Sequence, residues 1–356
     1  MSTRIAVGDA REMLRLIRSE TINCCVTSPP YWMLRDYGAG PNEIGREPTI
    51  KEYIEHLLEI TSEIHRVLFP HGSLFLNIGD TYITQSGTTR GKYYLETGGI
   101  NNVVNGQIMI KSQELPHKSL ALIPYRIAIA MQDQGWVVRN LVIWHKPSVK
   151  PESVQDRFSV DYEPIIFCTK NSQYYFKQQF RPYSESTIKR CKRFIDNGES
   201  FDPTRHRHDP NCVGQAPVKI LERIAKNLIV PGQAAHGMHI ARANGNGRDM
   251  FNSKGANMRC VWTLPTARYN GNHFATFPEQ LATICIDAGC PTGGTVLDPF
   301  LGAGTVAVVA ERMGRSCYGI EINPEYAQQA RERIVKARAS LKSANHFAES
   351  KKYPSH

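Results

Sequence analysis

The stretch Thr295-Val-Leu-Asp298-Pro-Phe-Leu-Gly302-Ala-Gly304-Thr-Val-Ala-Val-Val-Ala-Glu-Arg-Met-Gly314 decides the fold. It opens as a short buried strand ending in an acid, and from Thr305 to Met313 its apolar residues recur at helical spacing. Two glycines lie between. Without Cβ atoms, Gly302 and Gly304 let the backbone pass close to a ligand, and the amides that open the helix favour a ligand carboxylate. The next apolar run, Cys317 to Ile320, leads into Gly319-Ile-Glu321, an acid 23 residues after Asp298. A carboxylate there can accept from both hydroxyls of a ribose, as in nucleotide-binding βαβ units. Strand, glycine turn, helix and second strand together predict an α/β fold around a largely parallel sheet.

Three readings of the turn stay open. Gly302-Ala-Gly304-Thr-Val-Ala307 fits the dinucleotide pattern G-x-G-x-x-A. In a dinucleotide fold, however, the first glycine follows the strand directly, whereas here Asp298-Pro-Phe-Leu intervenes and widens the turn for a ligand without pyrophosphate. The third reading is a plain tight turn. Upstream, His273-Phe-Ala-Thr-Phe277-Pro-Glu279 taken alone reads as an ordinary helix start, with Pro in its first turn and an acid favouring the dipole.

The alternation continues toward the N-terminus. Ile5–Val7 and Ile22–Val26 read as strands around a helix at Arg11–Ile17. A helix follows from Ile50 to Leu68, stopped by Pro70-His71-Gly72, then a strand at Ser73–Ile78. Residues 81–113 form a Gly, Thr and Asn-rich loop too long for a simple connection. Beyond it lie a helix at Leu120–Met131 and strands at Trp136–Trp144 and Glu163–Thr169. After Pro278 come a helix to Ala288 and a last helix from Pro324. The tail after Ala344 reads as disordered.

The strand at Ile22–Val26 runs into Val26-Thr-Ser28-Pro29-Pro30-Tyr31-Trp32. One reading is a rigid turn with aromatic packing. The other is chemical. An exocyclic amine of a nucleobase is a weak nucleophile because its lone pair is delocalised into the ring. The Ser28 hydroxyl and the carbonyl of Pro29 or Pro30, both accepting its protons, would localise that lone pair, and the prolines fix these acceptors in advance. A base extruded from a duplex needs an aromatic platform, for which Tyr31 is the candidate.

Composition bounds the rest. The 356 residues are 41% hydrophobic and 21% charged, with mean hydropathy −0.37, as in soluble globular proteins. No apolar run approaches the roughly 20 residues of a bilayer span, and the N-terminus lacks a secretory leader, which predicts no membrane association and a cytoplasmic setting. Nine cysteines with no Cys-x-x-Cys pair predict reduced thiols and no structural metal. The net charge is +10, and from Asn171 to Cys260 there are 15 Lys and Arg against 7 Asp and Glu, so most of the excess sits in one basic segment. That segment is the footprint of a phosphate-binding surface. Lys189, Arg190, Lys192 and Arg193, with Arg205 and Arg207, are the candidate DNA contacts, and a solvated basic face is the alternative for either cluster.

Asp298-Pro-Phe-Leu-Gly-Ala-Gly304, Gly319-Ile-Glu321 and Ser28-Pro-Pro-Tyr31 resemble the motifs of amino-methylating DNA methyltransferases. The catalytic motif precedes the glycine loop, the order of the subgroup called beta. The resemblance implies a Rossmann-like S-adenosylmethionine-dependent methyltransferase sheet with helices on both faces, plus a basic target-recognition insert. It divides the chain into a catalytic half (1–170), a target-recognition region (171–262), a cofactor half (263–344) and the tail (345–356). It further implies that Asp298, Phe300, Gly302, Gly304 and Thr305, with Phe277 and Glu279, surround the methionine part of S-adenosylmethionine and that Glu321 holds the ribose. Asp9 would bind the adenine of the cofactor, or else simply cap a helix. Ser in first place is more usual of enzymes making N4-methylcytosine, with N6-methyladenine the alternative; C5 methylation is disfavoured because no Pro-Cys nucleophile occurs. A catalytically silent DNA-binding protein is the reading from another class. The implied partners are double-stranded DNA, with room for a homodimer and a cognate restriction endonuclease, in a prokaryotic or phage-encoded setting. Trp144-His-Lys146-Pro and Asp156-Arg157 through Glu163-Pro-Ile-Ile-Phe167 share the resemblance without an assigned role.

Overall fold

Two periodicities build the molecule, alternation along strands buried on both faces and 3.6-residue stripes on the helices that cover them. The computed structural model describes residues 2–34, 43–83, 103–104, 107–108, 115–149, 151–196, 255–266 and 277–352. In chain order the elements are β1 (Thr3–Val7), α1 (Ala10–Arg15), β2 (Ile22–Thr27), α2 (Ile50–Val67), β3 (Leu68–Asn77), β4 (Val103–Val104), β5 (Gln107–Ile108), α3 (Ile123–Asp133), β6 (Val137–His145) and β7 (Tyr162–Thr169). Then follow β8 (Phe180–Arg181), α4 (Glu185–Asp196), β9 (Ala256–Asn257), β10 (Val261–Thr263), α5 (Glu279–Gly289), β11 (Thr295–Asp298), α6 (Thr305–Arg312), β12 (Ser316–Glu321) and α7 (Pro324–Lys352).

The chain forms two compact units, Met1–Lys177 with Cys260–His356, and Gln178–Arg259. The first holds an eight-stranded sheet in the order β1-β12-β11-β2-β3-β7-β6-β10. All of its strands run one way except β7, which is antiparallel to β3 and β6. β2 shows the alternation. Cys25 faces a cluster built with Leu14, Tyr53, Ile60, Ile64 and Ile127 of α1, α2 and α3. Cys24 faces α5 on the opposite side, where a Cβ on Gly289 would lie 2.8 Å from its Sγ. Helices therefore cover both faces, and the eleven to eighteen residues of α2, α3 and α5 present their apolar stripes inward. In the second unit β8 pairs antiparallel with β9, and α4 carries Lys189, Lys192 and Arg193 exposed.

Two local expectations change. Pro70-His71-Gly72 does not separate helix from strand: α2 passes straight into β3, and the three residues sit at a register shift between the Ile22–Leu68 and Cys24–Ser73 pairs. Proline lacks a ladder donor, and a bulge is where a strand tolerates it. The sequence past Ala344 is not disordered up to Lys352 but continues α7, whose Ala, Glu, Lys and Ser lack a helix breaker until Pro354. The 81–113 loop falls largely outside the described residues; its start is fixed by Ala121 N–H to the Thr81 carbonyl and Ile83 N–H to Ser119. Among the described residues no helix is long and apolar enough to cross a membrane, and no cluster of His, Cys, Asp or Glu could hold a metal.

Candidate active site

Parallel strands bring their C-terminal ends to one edge, and ligands of α/β sheets bind there. Here that edge holds a cavity of about 300 Å³ lined by residues just beyond β1, β2, β3, β6, β11 and β12. Because β7 is reversed, its first residues reach the same edge and add Glu163. Two polar clusters line this cavity.

The first is built on β11 and β12. Asp298 is buried, and its Oδ1 accepts from the Thr27 hydroxyl at 2.7 Å and the Phe300 amide at 3.1 Å. Oδ2 has no partner among the described residues. Burial pushes the Asp298 carboxyl up to about 7, against the opposing bond from Thr27. Glu321 is also raised by burial; its Oε2 accepts from Gly302 N–H at 2.7 Å and its Oε1 from Asn323 N–H at 2.9 Å. Gly302 adopts φ +51° and Gly304 φ +81°, values that favour glycine. Their roles differ. Gly302 lines the cavity with Phe277, Phe300 and Thr305, whereas Gly304 faces away, where a Cβ would lie 2.7 Å from that of Ala330. Glu279 is likewise outside: its carboxylate pairs with Arg312 and, at 3.7 Å, with Arg333. As the first residue of α5 it is half exposed and turned toward α6 and α7. The two readings of Asp9 prove compatible. It caps α1 by accepting from Arg11 N–H at 2.7 Å, and it lines the cavity. Burial pushes its carboxyl up, but the Arg11 side chain and amide hold it below the ordinary value.

The second cluster is the turn Ser28-Pro29-Pro30-Tyr31 after β2. The turn is clamped from α2 and the segment before it. Tyr53 Oη donates to the Pro30 carbonyl at 2.7 Å, Trp32 Nε1 to the Glu47 carbonyl at 2.8 Å, and Met33 N–H to Gly45 at 2.7 Å. Tyr31 donates to Glu163 Oε2 at 2.7 Å, and the Ser28 hydroxyl lies 3.5 Å from the Tyr31 oxygen. Burial, reinforced by the Glu163 charge, raises the Tyr31 phenol well above its usual range, so it stays a donor. Asn77 Nδ2 donates to Glu163 Oε2 at 3.3 Å and to the Pro164 carbonyl at 3.2 Å. Lys146 pairs with Glu163 Oε1. The Thr27–Asp298 hydrogen bond joins the two clusters across 271 residues of sequence.

A sequence model of N6/N4 DNA methylases, described as DNA methylase, matches residues 22–332. The chain belongs to that family. Among curated relatives of this DNA methylase, the type II methyltransferase M.SmaI of Serratia marcescens is 35% identical over 341 residues, covering 95% of this chain and 92% of its own. M.Cfr9I of Citrobacter freundii is 33% identical over 328 residues, covering 92% and 86%. Among solved structures, the PvuII DNA methyltransferase, cytosine-N4-specific, superposes with TM-score 0.55 at 16% identity over 94% of this chain and 86% of that one. A DNA modification methylase of Thermus thermophilus, complexed with S-adenosyl-L-methionine, gives 0.52 at 21% identity over 94% of both chains. These likenesses establish the methyltransferase fold of this DNA methylase.

Sequence reasoning left Asn77, Gly79, Tyr53, Lys146 and Glu163 without a role. Lys146 and Glu163 lie in motifs that the resemblance covered, and only the pairing of β6 with β7 brings them together. Of the candidate DNA contacts, Lys189, Lys192 and Arg193 are exposed on α4 and Arg190 lies in the same helix, while Arg205 and Arg207 lie outside the described residues.

Proposed function

We propose that this DNA methylase transfers a methyl group from S-adenosylmethionine to N4 of a cytosine turned out of duplex DNA. One observation carries the reading: Ser28 to Tyr31 and Asp298 to Glu321 line the same cavity. The residues present fit the cofactor. Asp298 Oδ2 is available to an ammonium, and each Glu321 oxygen keeps a lone pair beyond its backbone amide for a ribose hydroxyl. Phe277 and Phe300 supply apolar wall, Gly302 leaves the turn open, and Asp9, which lines the same cavity, offers a carboxylate to the adenine amine. When bound, S-adenosylmethionine supplies a methyl group already carried on its own leaving group.

The remaining work belongs to the chain. The target amine donates to Ser28 Oγ and to a proline carbonyl, which localises its lone pair for attack. The Pro30 carbonyl already accepts from Tyr53, which leaves the Pro29 carbonyl as the freer of the two acceptors. Attack by that lone pair on the cofactor's methyl carbon would leave the old bonding pair on its sulfur, and the proton that the amine then sheds would pass to solvent. Tyr31 stacks on the base, and fixed acceptors spare the reorganisation that water would require. Cytosine N4 is favoured by Ser28 in first place and by the PvuII enzyme, cytosine-N4-specific, sharing the fold. The exposed cations of α4, with Arg205 and Arg207, bind the phosphate backbone. Incubation with labelled S-adenosylmethionine and mixed-sequence DNA, followed by digestion, tests this directly. The expected product is N4-methylcytosine, and N6-methyladenine would overturn the base assignment.

A further inference from the structure

Asn77, Lys146 and Glu163 line the cavity and have no part in the reaction derived above. They come from the ends of β3, β6 and β7 and meet at one carboxylate. Glu163 takes the Tyr31 hydroxyl and Asn77 on one oxygen and Lys146 on the other. Each member of the ion pair is only 18% exposed. The Lys146 ammonium also lies 4.6 Å from the centroid of the Trp144 ring, and Trp144 is anchored through Nε1 to the Leu264 carbonyl at 2.9 Å. Beneath Tyr31 lies Gly79, where a Cβ would come within 2.5 Å of the ring carbon Cε2. The phenol is therefore held at its oxygen by an anion and at its ring by a bare backbone.

A carboxylate in a cavity that already holds Asp9, Asp298 and Glu321 is costly to keep, even when paired. Its aim explains its presence. A phenol that donates to an anion presents a more electron-rich face, and such a face attracts positive charge. During transfer, positive charge moves onto the amine of the stacked base. The attraction is thus greater in the transition state than in the bound ground state, which is the condition for raising kcat.

We propose that Glu163, held by Lys146 and Asn77, is a positioning residue that acts through Tyr31, orienting the phenol and enriching the ring on which the base stacks. This rests on the reading of Tyr31 as the stacking platform. Single-turnover methylation at saturating S-adenosylmethionine and duplex tests it with Tyr31→Phe, Glu163→Gln, their double variant and Tyr31→Ala. A fluorescent base analogue at the target position reports flipping in parallel. The expected result is a loss of about tenfold in transfer rate for each single variant, with duplex affinity and flipping within about twofold of the parent. The double variant is expected to be no slower than the slower single one, because both remove the same interaction, the phenol's hydrogen bond to a charged carboxylate: one takes away the donor, the other the charge. Parental rates in Tyr31→Phe and Glu163→Gln, or losses that multiply in the double variant, would overturn the proposal. If those two keep the parental rate while Tyr31→Ala loses it, only this inference fails. If Tyr31→Ala also keeps it, the platform reading fails first. Should Glu163→Gln not fold, Tyr31→Phe, which removes a single hydroxyl, decides alone.

Discussion

Replacing Asp298 by asparagine separates two demands placed on one carboxylate. Burial pushes this carboxyl up to about 7 in the ligand-free protein. Unfolded, it titrates near the ordinary aspartate value of about 3.9. A folded value above the unfolded one means that the native state holds the proton more tightly. The resulting stability is complete below the unfolded value and is lost as pH rises through the folded one. Between about pH 5.5 and pH 8 the loss comes to about 2 kcal/mol, at about 1.4 kcal/mol per pH unit over the part of that interval below 7. Asparagine keeps an oxygen to accept from the Thr27 hydroxyl at 2.7 Å and the Phe300 amide at 3.1 Å, and it carries no charge. Asp298→Asn is therefore expected to remove this part of the pH dependence while leaving the fold intact. Urea unfolding of both ligand-free proteins at the two pH values measures it, and the histidines cancel in the comparison. Equal pH dependence in the two proteins would refute the assignment of the raised value to Asp298. The second demand is binding. An ammonium partner stabilises the ionised carboxylate, so S-adenosylmethionine affinity of the parent is expected to rise with pH through about 7. The variant should show no such rise and bind about 10- to 100-fold more weakly, the weight of one charged hydrogen bond.

Gly79→Ala places a methyl group 2.5 Å from the Tyr31 ring, so transfer should slow by more than about tenfold while S-adenosylmethionine affinity, measured by calorimetry, stays at the parental value. Gly304→Ala combines φ +81° with a 2.7 Å approach to Ala330 and should lower stability by about 2–3 kcal/mol, seen as a lower urea midpoint at unchanged slope. Glu321→Gln can accept only one of the amides of Gly302 and Asn323, so cofactor binding should weaken by at least about tenfold at constant duplex affinity. Removing Lys189 and Lys192 together should reduce the slope of log affinity for DNA against log salt by about 2, at every sequence tested; an unchanged slope would exclude these two as phosphate contacts.

The sheet and the cofactor edge were legible because the hydrophobic period switches sharply between Leu297 and Thr305, with glycine at the switch. Strand direction was not. Tyr162–Thr169 is buried on both faces, and a continuous apolar run carries no mark of which way it points. That reversal is what delivers Glu163 to the cavity, so the missed direction and the missed residue are one omission. Lys146 and Glu163 are 17 residues apart and meet only through the β6–β7 register. The glycine pattern located the turn without separating Gly302, which faces the cavity, from Gly304, which clears Ala330. Pro-Glu at Pro278–Glu279 belongs to a helix start whose acid pairs with arginines, and only Phe277 before it reaches the cavity.

The strand order carries a consequence for biosynthesis. Among the described strands β1 is hydrogen-bonded only to β12, and Thr3 faces Cys317. On a ribosome moving at about 5–20 residues per second, the first strand waits roughly 15–60 s for its neighbour. Ser28 to Tyr31 is translated early as well, but Asp298, which braces the same edge through Thr27, follows that threonine by 271 residues. A chain made only as far as the basic segment lacks β11 and β12, so it cannot close the cavity and yields no methylating fragment.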